Sequence, residues 1–160
     1  MTGPVFVDTN VFVYRHDDSV PAKQSRAEQW IAFLARSRAG RLSYQVLQEL
    51  YATLTRPRLN FDPAEARRIV QLLSAWQPLS IEIGILERAW QVQERHALSW
   101  WDALIVAAAQ ASECSVLLTE DLQAGQVFDG VRVVDPFASP DKRLHEIVEA
   151  HDVARGQGDA

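Results

Sequence analysis

Four acidic residues stand where a carboxylate is costly to keep. Asp8 directly follows the apolar run Val5-Phe6-Val7, and Asp121 follows Val116-Leu117-Leu118-Thr119-Glu120. Glu49 lies among Leu47, Leu50 and Tyr51, and Asp102 opens the run Ala103-Leu104-Ile105-Val106-Ala107. A carboxylate among apolar neighbours is expensive to bury unless something neutralises it. Four that converge repel one another, so at least one titrates high unless a counter-ion is present. Mg²⁺ or Mn²⁺ removes that conflict, because both suit carboxylate and water ligands, whereas zinc would want His or Cys. His16, His96, His145 and His151 show no metal-ligand spacing, and Cys114 is the only cysteine, which excludes a thiolate cage. A divalent ion on carboxylates activates water and neutralises a phosphodiester in its transition state. The chemistry indicated is metal-assisted phosphodiester hydrolysis.

Each acid also has a plainer role. Asp8 could end a strand in an Asx-turn with Thr9 and Asn10. Ser99-Trp100-Trp101-Asp102 has the form of a capping box. Glu49 could edge a solvent-facing helix surface, and Asp121 could occupy the first turn of a short helix. Glu120 reads as a solvated neighbour or a supporting acid. Taken singly, these signals are weak.

The elements that must carry them alternate short apolar runs with helical patterns, the mark of α/β architecture. Residues 4–7 form a strand buried on both faces, and 116–118 and 131–134 are two more. Residues 42–44 and 78–81 are the remaining strand candidates. Helical spacing runs over 21–37, over 45–56 until the Arg56-Pro57 step, and over 82–96. Asp62-Pro63-Ala64-Glu65 opens another helix with cap, first-turn proline and acid in order. Ser99 caps an alanine-rich helix over 100–112, and 140–151 forms a terminal one. Five strands and about seven helices predict a three-layer α/β/α sandwich around a mainly parallel five-stranded sheet. In such sheets the functional crevice lies at the carboxyl ends of the strands, where Asp8 and Asp121 fall.

Composition sets the outer bounds. At 160 residues the chain fits one ordinary domain, with a body over 1–138 and a C-terminal helix and disordered tail over 139–160. A hydrophobic share of 48% excludes disorder for the body. No apolar run approaches the roughly 20 residues of a membrane span, and an acid at position 8 interrupts any signal-peptide core. With a lone cysteine besides, a cytoplasmic location without membrane attachment is expected. The net charge of −5 argues at first against a nucleic-acid partner. Yet Asp8, Glu49, Asp102, Glu120 and Asp121 account for that whole excess, and a bound cation would reverse the local sign. Of the 16 basic residues only Lys23 and Lys142 are lysines, and arginine forks bind phosphate bidentately. Arg36, Arg38 and Arg41 form one group, and Arg56, Arg58, Arg67 and Arg68 another that is the better candidate for RNA contact.

Taken together, the blocks Val7-Asp8-Thr9-Asn10, Gln48-Glu49-Leu50-Tyr51, Ser99 to Ala109 and Leu118-Thr119-Glu120-Asp121-Leu122 resemble the PIN-domain family, in particular its VapC-type toxins. The resemblance spans roughly residues 4–137. It implies a Mg²⁺- or Mn²⁺-dependent endoribonuclease in which Asp8, Glu49, Asp102 and Asp121 match the acidic quartet. Thr9, Asn10 and Thr119 match positions that orient those acids or a water, and either Glu120 or Asp121 would face the metal. It further implies an RNA substrate, a homodimer and a cognate antitoxin.

Trp100 and Trp101 could stack bases, but at the start of an apolar helix at least one should pack in the core or a dimer interface. Three other readings compete. A non-catalytic RNA-binding or assembly module of the same fold has no reason to keep four repelling acids. A phosphatase with an aspartyl nucleophile wants an acid two residues after Asp8, where Asn10 stands. A dinucleotide-binding fold needs a glycine-rich first turn, which Asp8-Thr9-Asn10-Val11-Phe12 does not supply.

Overall fold

The computed structural model describes residues 3–139 and 142–156. Five strands form one sheet in the spatial order β2-β1-β3-β5-β4: β1 Val5–Val7, β2 Gly40–Arg41, β3 Val116–Leu118, β4 Val127–Phe128 and β5 Val131–Val134. The β2–β1, β1–β3 and β3–β5 pairs are parallel, and β4 alone is antiparallel, joined to β5 as a hairpin. Every residue of β1 and β3 is buried, as two-sided helix cover requires of central parallel strands. Helices α1 Thr9–Arg15, α2 Pro21–Ser37, α3 Tyr44–Thr55, α4 Pro63–Leu73, α5 Ile83–His96, α6 Trp100–Ala111 and α7 Leu144–Gly156 complete the α/β/α sandwich. None is long and apolar enough to cross a membrane among the described residues.

Local chemistry explains several boundaries. Asp62 caps α4 by accepting from the Ala64 amide at 3.1 Å, and Ser99 caps α6 by accepting from the Asp102 amide at 3.2 Å. Ala103 to Ala109 are all buried, so α6 is covered on every side and its alanines permit close approach to β3 and β5. Trp30 on α2 is fully buried, and its indole N–H donates to the Pro136 carbonyl at 2.9 Å. Val148 anchors α7 to the core. Cys114 is buried, and burial pushes its thiol up to about 12.

The strand assignment needs two corrections. The second strand is Gly40–Arg41, not 42–44, and 78–81 is no strand of the sheet. Ser43 and Leu79 instead form an isolated parallel bridge, with Leu79 N to Leu42 O at 3.0 Å and Tyr44 N to Leu79 O at 3.1 Å. The apolar runs do pair, but with each other. Gly40 pairs with Val5, and the Trp76 ring lies over it where any side chain would collide. The fifth strand is β4, which turns into β5 through Asp129 and Gly130, both with positive φ (46° and 88°), the conformation of a type I′ turn. Helix α1, which the sequence reading did not include, begins one residue after β1, where an Asx-turn was one alternative. Helix α7 starts at Leu144 and continues to Gly156; Pro140, Asp141 and the last four residues of the expected tail lie outside the described residues.

Candidate active site

Strand register brings the first partners together. Val7 pairs with Leu118, so the residues that follow, Asp8 and Thr119, emerge side by side at the carboxyl edge of the sheet. The Asp8 amide donates to the Leu118 carbonyl at 3.0 Å, and the Thr119 hydroxyl donates to Asp8 Oδ2 at 2.8 Å. Asp8 Oδ1 caps α1 by accepting from the Thr9 amide at 2.7 Å. Asp8 therefore caps a helix rather than ending the strand in an Asx-turn, and the same side chain stands among the other candidate residues.

Helix α1 then carries two more groups to the edge. Thr9 donates its hydroxyl to Glu49 Oε2 at 2.7 Å, which ties α1 to α3. The Asn10 amide nitrogen lies 3.0 Å from Thr119 Oγ1, 3.1 Å from Asp121 Oδ2 and 3.5 Å from Asp8 Oδ2. Asp8, Glu49, Asp121, Thr9, Asn10 and Thr119 thus form one polar network assembled from helices α1 and α3 and the segments that follow β1 and β3. Asp8 is almost fully buried, and that burial, helped by the charges of Asp121 and Glu49, pushes its carboxyl up to about 7 despite the opposing Thr119 and Thr9 hydrogen bonds.

The adjacent acids Glu120 and Asp121 part company. Asp121 joins the network, and its amide donates to Thr119 Oγ1 at 3.1 Å. Glu120 is ion-paired with Lys23 at 2.7 Å, and Lys23 also donates to the Tyr14 hydroxyl at 3.3 Å. Asp102 is half-buried in the first turn of α6, and its carboxylate has no hydrogen-bond or ionic partner among the described residues. It is connected to the others through the chain: Gln45 Nε2 donates both to Glu49 Oε1 at 2.9 Å and to the carbonyl of Trp101 at 3.3 Å.

Among the described residues no three His, Cys, Asp or Glu side chains are gathered closely enough to form a ready-made metal cage. The donor chemistry nevertheless fits a hard divalent cation. The candidate ligands are oxygens throughout, and among the described residues Asp8 lacks a compensating positive charge and the buried Asn10 Oδ1 has no hydrogen-bond partner.

A cavity of about 950 Å³ opens on this network, and Asn10, Glu49, Asp121, Trp101, Arg56 and Arg58 are among the residues that line it. Arg58 is held by Asp17, buried to 2% exposure, through a 2.8 Å ion pair. The second arginine group divides here. Arg56 and Arg58 share the cavity with the acids, Arg67 lines a separate groove with Tyr44 and Tyr51, and Arg68 is exposed. Arg38 and Arg41 line a different cavity beside Trp76, while Arg36 lines another between α2 and the start of α7. Sequence reasoning missed Gln45, although its position four residues before Glu49 on one helix was a readable signal. It also missed Lys23 and Asp17, whose ionic partners Glu120 and Arg58 are distant in the chain.

Three solved structures share the fold. A toxin–antitoxin complex from Klebsiella pneumoniae superposes with a TM-score of 0.61 at 23% identity, covering 82% of this chain and 97% of that one. VapC20 of Mycobacterium tuberculosis, a toxin that cleaves the sarcin-ricin loop, superposes at 0.57 and 23% identity, covering 71% and 86%. VapBC2 from Rickettsia felis, bound to a DNA fragment of its promoter, superposes at 0.59 and 15% identity, covering 81% and 96%. No curated protein sequence matches significantly. Residues 5–129 match the PIN domain, most of the body and every acid discussed above, and the chain belongs to the PIN-domain family.

Proposed function

We propose that this chain is an endoribonuclease of the VapC type, dependent on Mg²⁺ or Mn²⁺ and governed by a cognate antitoxin. The observation that carries the reading is the network of Asp8, Glu49 and Asp121 with Thr9, Asn10 and Thr119 at the carboxyl edge of the sheet, open to a cavity with two arginines. Asp8, Glu49, Asp102 and Asp121 would hold the metal, which supplies charge neutralisation and an acidified water at the phosphodiester. Thr119 and the Thr9 amide fix both oxygens of Asp8, and Thr9 and Gln45 do the same for Glu49. Neither carboxylate has to reorganise when substrate arrives. Asn10 bridges Asp8, Thr119 and Asp121, keeping the two acids at a set separation. Arg56 and Arg58 are assigned to RNA phosphates. Arg58 is the stiffer of the two because Asp17 holds one of its nitrogens. Glu120, paired with Lys23, is assigned a supporting role beside the metal-binding acids.

The partners are inferred from kinship. Two of the structural neighbours are toxin–antitoxin assemblies, which supports an antitoxin partner, and the expectation of a homodimer rests on the resemblance to VapC-type toxins. The test is cleavage of mixed structured and single-stranded RNAs by purified protein in Mg²⁺, Mn²⁺ or EDTA, with Asp8→Asn and Asp102→Asn in parallel. Cleavage that needs metal and disappears in both variants supports the reading. Equal cleavage by wild type and both variants would sink it.

A further inference from the structure

One wall of the cavity has no part in the hydrolytic scheme. Trp101 lines it with 62% of its surface exposed, while Trp30 of the same chain is wholly buried. The neighbouring Trp100 is half-buried and stacks on Trp90, with ring centroids 6.3 Å apart and planes inclined by 28°. The expected packing role therefore falls to Trp100, and Trp101 is left on the cavity wall. Exposing so large an apolar ring is costly in water, and a ligand that covers it recovers that cost.

The backbone that carries the ring is well anchored. Ser99 caps the helix that carries it. The Trp101 carbonyl accepts from Gln45 Nε2, the same nitrogen that donates to Glu49. The backbone that carries the aromatic face is thereby tied to one of the acids through a single buried side chain. Ile81 and Leu104 add apolar surface to the same cavity, and Arg56 and Arg58 add positive charge. The ligand matching this combination has a flat π face flanked by phosphates. A nucleotide in a single strand has both, whereas a base inside a duplex is already stacked on its neighbours.

We propose that Trp101 is a specificity-determining platform that stacks one unpaired nucleobase of the RNA beside the phosphate to be cut. The proposal rests on the ribonuclease reading above. It makes single-stranded or looped RNA the substrate class and assigns the selection to a residue outside the acidic network.

The test compares two probes of equal charge, a mixed-sequence octaribonucleotide and an abasic ribose-phosphate octamer. Binding is measured at fixed salt in Mg²⁺ on the Asp102→Asn background, so that nothing is cut. The parent should prefer the octaribonucleotide by about tenfold, as one base–aromatic stack provides. Trp101→Leu should remove most of that preference and Trp101→Phe should keep most of it. Undiminished preference in Trp101→Leu, or equal binding of both probes by the parent, overturns the proposal. If wild type still cuts RNA in that case, the nuclease reading survives without it. If wild type neither binds nor cuts RNA, both fall. A change in assembly mass in Trp101→Leu with base preference intact would make Trp101 a protein contact and overturn the proposal too.

Discussion

Replacing Asp8 by Asn should strengthen the metal-free protein at alkaline pH while abolishing its cleavage. In the folded chain the Asp8 carboxyl titrates at about 7, against 3.8 for an unperturbed aspartate, chiefly because it is buried. Between those values the folded state keeps a proton that the unfolded state gives up. Stability therefore falls as pH rises through that window, by about 1.4 kcal/mol per unit. The loss attributable to Asp8 is roughly 1.7 kcal/mol at pH 5 and reaches about 4 kcal/mol above pH 7. Asn at position 8 carries no such penalty and caps a helix as well as Asp does. It does lose the charged acceptor for the Thr119 hydroxyl, so its absolute gain is smaller than the ceiling. The cleaner quantity is a double difference, wild type against Asp8→Asn and pH 5 against pH 8, by urea unfolding in EDTA. Wild type should lose about 2–3 kcal/mol more than the variant across that interval. Parallel stability curves would refute the claim that Asp8 is held in a proton-retaining environment. Saturating Mg²⁺ should shrink the difference at pH 8, because a cation supplies the missing charge.

Asp102→Asn should abolish cleavage while shifting stability by no more than about 1 kcal/mol, since its carboxylate holds only a favourable place in the first turn of α6; thermal melts beside RNA cleavage check both halves. Gln45→Ala removes a buried donor shared by Glu49 and the Trp101 carbonyl, and should cost about 1–3 kcal/mol in urea unfolding and lower kcat more than it raises KM. Gly40→Ala sets a methyl group against the Trp76 ring and should lower Tm by several degrees, from about 1–3 kcal/mol of overpacking, without changing the metal requirement of cleavage.

What the sequence made legible follows from how local each signal is. The acid at the end of β1 could be read because the apolar run and the carboxylate are adjacent. The bridge from Asp8 to Thr119 could not, since it depends on a register between strands more than a hundred residues apart. The choice between Glu120 and Asp121 stayed open for the same reason: Lys23, which pairs with Glu120, sits on a helix 97 residues earlier. The second strand was misplaced because Gly40 and Arg41 carry little strand propensity, and the Trp76 ring leaves no room for a side chain at position 40. The Asp129-Gly130 turn is a different kind of miss. It was visible as a dipeptide, but its two-residue strand was too short to show alternation. Helix α1 escaped notice because Thr9, Val11 and Val13 are poor helix formers, and the helix is held by its Asp8 cap and by packing on α2 and α3.

The solitary thiol has a practical consequence. Alkylating and maleimide reagents attack the thiolate, and Cys114 is both enclosed in the interior and titrates at about 12, so at pH 7–8 it offers them almost nothing. A cysteine introduced on the surface, for example at exposed Val127 or Leu72, becomes the one reactive handle without removing the native residue. The protein can then carry a fluorophore or spin label at a chosen surface position while its interior stays unaltered. Distances from such a label to a bound oligonucleotide would report how RNA lies across the molecule in solution.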